Sequence, residues 1–180
     1  ILTIALIAFG IAPATSHAEP RNANQTDTPR AAVPTSRQSE APPLVAQSLL
    51  ARCPLDGAAT FEDSWGWARS GGRKHQGVDM IAGRGTPVIA VRDGFAQFKN
   101  NSLGGRAIWL TTDDGDRFYY AHLDGWAGDS RNVEAGELIG YVGSTGNAKG
   151  PHLHFETHPG GNVENPYPHT LGACVPKSLG

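Results

Sequence analysis

The sequence is poor in charge and in thiols. Only 18% of its 180 residues are charged, and 15 Lys+Arg against 17 Asp+Glu leave a formal net charge of −2. Proteins that grip nucleic acid or anionic membrane carry a basic patch or stripe, so this balance argues against both partners. Two cysteines cannot build a multi-bridge scaffold or a four-thiolate zinc site. The apolar run Ile1–Ala12 (ILTIALIAFGIA, polar only at Thr3) falls short of the roughly 18 residues that a membrane-spanning helix needs. No segment keeps a helical period through three turns, and no repeat of solenoid length is visible. What the chain does have is 23 Gly, 13 Pro and seven His. The first two point to strands joined by turns. The histidines point to chemistry.

Residues 1–18 are expected to be part of a secretory signal. The apolar run has the length of an h-region, Ser16-His17-Ala18 supplies small residues at a cleavage site, and the sequence begins inside the signal. No cysteine sits at that cleavage point, so a lipid or membrane anchor is not expected. Residues 19–50 form a polar, proline-dotted linker with almost no large apolar residues to offset ordering entropy. Within it, Val45–Leu50 reads as one helical turn leading into a domain at residues 51–180. Export changes the reading of Cys53 and Cys174, which lie near the two ends of that domain without a CxxC partner. In an oxidising periplasm or extracellular space they are expected to form one disulfide. Closing a loop of roughly 120 residues adds about 4–5 kcal/mol in the chain-entropy account.

Short β-favouring runs at Pro87–Arg92, Gly94–Lys99, Arg106–Thr112, Arg117–His122, Glu137–Val142 and His152–Thr157 read as strands. Asp114-Gly115-Asp116 between two of them reads as a hairpin turn. The fold class is therefore all-β: a small antiparallel β-sandwich or barrel, expected to be monomeric.

Three segments carry the reactive side chains. In Gly72-Arg73-Lys74-His75-Gln76-Gly77-Val78-Asp79, an imidazole and a carboxylate stand in H-x-x-x-D spacing, with Gly77 between them to allow a sharp bend. Zinc accepts both groups, at about 2.0–2.2 Å. In Pro151-His152-Leu153-His154-Phe155-Glu156, strand alternation sends Leu153 and Phe155 to one face and His152, His154 and Glu156 to the other. One of the two imidazoles can then bind a metal while its neighbour reaches the reacting atoms; spacing leaves open which. In Phe118-Tyr119-Tyr120-Ala121-His122, the histidine closes a strand. Each segment alone has a plain structural reading. Together they offer more ligands than the three that a catalytic zinc site uses.

Taken in order, GRKHQGVDM, GTPVIAV, YYAHL and GYVGSTGNAKGPHLHFE resemble the LytM/lysostaphin-type zinc metallopeptidases from about Phe61 to Pro166. The resemblance implies the barrel-sandwich (duplicated hybrid motif) fold and one Zn²⁺ per chain held by His75, Asp79 and His154. It also implies catalytic roles for His122 and His152 beside the metal-bound water, and peptidoglycan peptide as substrate. Glycine-rich loops at Ser102–Gly105 and Gly143–Gly150 are expected to wall a narrow groove. Tyr120, two residues before His122, is a candidate oxyanion donor. Glu156 lies beyond both histidines on a strand, unlike the helical Glu of H-E-x-x-H peptidases, and is expected to hold a ligand from behind. His158 and His169 read as surface residues. Some relatives have lost their ligands and regulate cell-wall amidases without catalysis; this chain keeps every ligand, which disfavours that alternative.

Overall fold

The computed structural model describes residues 48–174. The expected signal at 1–18, the linker up to residue 47, and residues 175–180 lie outside the described residues. Residues 48–50 contain no helix, so the described end of the expected Val45–Leu50 turn is a bend instead. Leu50 is buried in the hydrophobic core.

Eight strands form in chain order: β1 (Val78–Ile81), β2 (Pro87–Ile89), β3 (Gly94–Asn101), β4 (Gly105–Thr111), β5 (Arg117–Trp126), β6 (Arg131–Val133), β7 (Leu138–Val142) and β8 (His152–His158). One helix, α1 (Tyr167–Cys174), follows. All pairings are antiparallel, in the order β1-β8-β5-β4-β3-β6, and β7 pairs with both β5 and β2. The all-β expectation holds, as one eight-stranded sheet in which β5 pairs with β4, β8 and β7. Among the described residues no helix is long and apolar enough to cross a membrane.

Alternation sets the core. Val78 and Met80 of β1, Ile108 and Leu110 of β4, Phe118 and Tyr120 of β5, and Leu153 and Phe155 of β8 are all fully buried. Each such side chain contributes roughly 1.5–3 kcal/mol of burial. The opposite face of β1 and β8 is left for Asp79, His152, His154 and Glu156. The hairpin at Asp114–Asp116 forms as expected, with Gly115 at φ 90° and the Thr112 N–H donating to the Asp116 carbonyl at 3.0 Å. Cys53 and Cys174 are bonded, with Cα atoms 4.7 Å apart, so the entry segment and α1 close on each other.

Four elements depart from the sequence reading. β2 ends at Ile89 rather than Arg92, because Ala90 hydrogen-bonds outside the ladder, to the Glu137 carbonyl. β1 and β6 are too short, at four and three residues, to leave a period in the sequence. α1 contains Pro168 and Gly172, which mask its helical character.

β5 matters most to function. Its first half, Arg117–Ala121, pairs with β8, and its second half, Leu123–Trp126, pairs with β7. At the change of partner, Ala121 and His122 together face the single residue Ala107 of β4, making a β-bulge. His122 takes the extra position with φ 64°, the only non-glycine residue in the left-handed region among the described residues. That conformation costs a side-chain-bearing residue roughly 1–2 kcal/mol. It also breaks the alternation, turning His122 out of the core face that Tyr120 occupies.

Candidate metal centre

His75 and Asp79 arrive on a hairpin and the strand that follows it. The hairpin is held by hydrogen bonds from Gly66 N–H to the His75 carbonyl, from His75 N–H to the Trp67 carbonyl and from Arg69 N–H to the Arg73 carbonyl, each 2.9 Å. β1 then pairs with β8 so that Asp79 lies directly opposite His154. Gly77 is required there, although for a different reason from the bend expected. A Cβ on it would fall 2.6 Å from both His154 Cε1 and the Phe155 carbonyl oxygen, so its missing side chain makes room for the imidazole.

Three atoms converge. His75 Nε2 lies 3.0 Å from Asp79 Oδ1 and 2.9 Å from His154 Nδ1, and His154 Nδ1 lies 3.0 Å from the same carboxylate oxygen. The other side of each group is already engaged. His75 Nδ1 is 3.0 Å from the Ser64 carbonyl, which can only accept, so the ring carries its proton there and leaves Nε2 bare. His154 Nε2 donates to Glu156 Oε1 at 2.8 Å, which leaves Nδ1 bare. Asp79 Oδ2 receives Arg69 Nη2 at 2.6 Å, which turns Oδ1 inward. Three lone-pair atoms facing one another at 2.9–3.0 Å need a cation among them. The His-Asp-His group is therefore able to bind a metal ion, and nitrogen and carboxylate donors suit a divalent transition metal.

The titration of these groups has the same origin. Burial alone would depress His154, but its hydrogen bonds to the Asp79 and Glu156 carboxylates outweigh that and raise it to about 9. Burial would raise Asp79, yet hydrogen bonds from His154 and His75 drive it far below the usual carboxylate range. Without metal, a proton on His154 supplies the cation. Glu156 is lowered too, against its burial, by His154 and by His158, whose Nε2 lies 2.7 Å from Oε2.

His122 and His152 stand beside this group, with ring centroids 4.7 Å apart, and His122 is 5.9 Å from His154. His152 Nε2 is 3.8 Å from Asp79 Oδ1, near but not bonded. Each ring donates Nδ1–H to a backbone carbonyl: His122 to Thr145 at 2.8 Å and His152 to Gly150 at 2.9 Å. Each Nε2 is thereby left bare. Burial pushes His122 down to about 4, with the neighbouring imidazoles adding to the effect and the Thr145 carbonyl opposing it. It is neutral at pH 7.

The loops at Ser102–Gly105 and Gly143–Gly150 pack backbone to backbone next to His122. Asn147 N–H donates to the Leu103 carbonyl and Arg106 N–H to Thr145 Oγ1, both at 3.0 Å.

Three sequence readings are corrected. Tyr120 is fully buried on the core face, where its hydroxyl accepts the Val91 N–H at 3.0 Å and its ring packs on Phe155. It cannot serve as an oxyanion donor, because the bulge at His122 breaks the i, i+2 relation on which that reading rested. His158 is not a surface residue either: it is half-buried between Glu156 and Trp109, ring centroids 5.0 Å apart in the latter case. His169 is half-buried and bonds Glu164 at 2.7 Å. Sequence reasoning missed Arg69 and Tyr119. Tyr119 stands edge-on to His154 with centroids 6.2 Å apart. Its neighbour Tyr120 has the same composition signal, so only the pleat distinguishes them. For Arg69 the H-x-x-x-D spacing carries no signal at all.

Fold and site together define an all-β domain built around a candidate metal site. The profile of Peptidase family M23 matches residues 73–166, and the chain belongs to that family. It is 44% identical over 95 residues to the DD-carboxypeptidase/endopeptidase Mpg of Neisseria meningitidis, covering 52% of this chain and 22% of Mpg. It is 35% identical over 127 residues to the L-Ala–D-Glu endopeptidase of Bacillus subtilis, covering 61% and 39% respectively. Among solved structures, the catalytic domain of lysostaphin from Staphylococcus simulans superposes with a TM-score of 0.57 at 32% identity, over 62% of this chain and 92% of that domain. The chain thus spans well under half the length of these two curated relatives.

Proposed function

We propose that this protein is an exported zinc endopeptidase that hydrolyses peptide cross-links of bacterial peptidoglycan. The observation that carries the reading is the convergence of His75 Nε2, Asp79 Oδ1 and His154 Nδ1 at 2.9–3.0 Å, each bare toward the others and engaged behind. In this reading those three residues hold Zn²⁺, which supplies a Lewis acid for the scissile carbonyl and lowers the pKa of water towards about 7. His122 is neutral, oriented through its Nδ1–H, and accepts the water proton at Nε2. His152 presents Nε2 on the other side and, when protonated there, donates to the developing oxyanion or the leaving amine. Arg69 and Glu156 hold Asp79 and His154 in place from behind. Relatives named L-Ala–D-Glu endopeptidase and glycyl-glycine endopeptidase support a peptide substrate of this class, and the Cys53–Cys174 bond supports an oxidising compartment.

The test is to incubate the purified protein with isolated peptidoglycan and identify new amino and carboxyl termini by mass spectrometry. Cleavage is expected with zinc, to vanish with a chelator and to return on adding zinc. A stoichiometric zinc protein that frees no amines from any peptidoglycan overturns the reading.

A further inference from the structure

β1 is an end strand of the sheet, and its outer edge borders the metal centre. The ladder dictates which of its backbone groups face outward. His152 N–H donates to the Gly143 carbonyl at 3.1 Å, so His152 directs its backbone away from its β1 partner, Ile81. Ile81 likewise points outward, exchanging hydrogen bonds of 2.9 and 3.0 Å with Thr60. In an antiparallel strand such groups recur at every second residue, so the next outward pair belongs to Asp79. Among the described residues nothing bonds the Asp79 N–H or C=O on that side.

A cavity of about 350 Å³ lies along this edge, lined by Phe61, Ser64, Trp67, Asp79 and Ile81 among others. Trp67 and Ile81 are 51% and 55% exposed, although both are large and apolar. An unpaired main-chain edge and two apolar walls around one cavity match what β-strand addition requires. Main-chain hydrogen bonds then supply affinity, and side-chain pockets supply selectivity.

We infer that this edge is a peptide subsite: the segment flanking the scissile bond adds to β1 as an extended strand opposite Asp79 and lays an aliphatic side chain against Trp67 and Ile81. This rests on the peptidase reading above. Asp79 then faces two ways, with its side chain in the metal centre and its main chain on the substrate.

The experiment uses the full chain loaded with zinc and, as probe, soluble cross-linked muropeptides released from peptidoglycan by a glycan-cleaving enzyme. In ¹⁵N-labelled His152→Ala protein, which avoids turnover, saturating probe is expected to shift the Asp79 amide and slow its hydrogen exchange roughly tenfold or more. In otherwise unaltered enzyme, Trp67→Ala and Ile81→Ser are expected to raise KM roughly tenfold, with kcat within about twofold and zinc content unchanged. Leu171→Ala, an exposed change on α1, is expected to leave both constants alone. An Asp79 amide that stays unmoved by saturating probe, or is already protected in the free protein, overturns the inference. So does an unchanged KM in both subsite variants. If the enzyme cleaves no muropeptide, the peptidase reading falls, and the Asp79 amide still decides the subsite by its response to the bound probe.

Discussion

Of the five polar residues at the centre, two have a charged side chain behind them and three a backbone carbonyl. His154 and Asp79 are each backed by a charged side chain, Glu156 and Arg69 respectively, and His75 by the Ser64 carbonyl. His122 and His152 are backed by backbone carbonyls alone, those of Thr145 and Gly150. Carboxylates on both sides of an imidazole raise its affinity for cations: against its burial, Asp79 in front and Glu156 behind lift His154 to about 9. A neutral carbonyl orients the ring without doing so, and burial then keeps His122 uncharged. His154 and His122 thus differ through their surroundings, carboxylates around the first and a lone carbonyl with burial around the second, while His75, backed by a carbonyl like His122, faces the Asp79 carboxylate instead.

The largest effect that tests this contrast is the pair His154→Ala and His152→Ala. The first is expected to lose both bound metal and activity. The second is expected to keep stoichiometric metal while kcat falls by about 10²–10⁴. Metal analysis beside turnover reads both, and equal loss of metal in the two variants would dissolve the distinction. Next is Glu156→Gln, which keeps the shape behind His154 but removes the charge; metal affinity is expected to drop about 10–100-fold by chelator competition.

The third prediction concerns pH. Metal must displace the proton that His154 holds up to about pH 9, so apparent metal affinity should rise roughly tenfold per pH unit between 7 and 9. The stability of the metal-free protein carries both signs. The contribution of His154, whose folded value lies above 6.5, is lost as pH rises towards 9. His122, whose folded value lies below 6.5, loses stability as pH falls towards 4. Thermal midpoints of the metal-free protein should therefore peak near pH 6.5, and zinc should flatten the alkaline side. The smallest effect is expected from Tyr120→Phe, which removes the acceptor for Val91 N–H. It should cost about 1 kcal/mol of stability and leave kcat unchanged within error.

Much of this was legible in the chain itself. Alternation in HLHFE put His152, His154 and Glu156 on the face opposite Leu153 and Phe155, and six runs marked six strands. The pairing of Cys53 with Cys174 followed from their position and the expected compartment. What escaped has common physical causes. Tyr120 was assigned to the wrong face because a single left-handed residue shifts the pleat, and nothing in the letters YYAHL announces that His122 adopts it. Arg69 escaped because a guanidinium that reaches a carboxylate across a hairpin leaves no periodic trace. β1 escaped because four residues are too few to show a period, although its register sets Asp79 opposite His154.

The bond between Cys53 and Cys174 spans 121 residues of chain but only 4.7 Å between Cα atoms. Tension applied to the polypeptide on either side of the domain therefore travels through two sulfur atoms and bypasses the sheet. All eight strands, and with them the five side chains of the centre, lie inside the loop that this one covalent link closes.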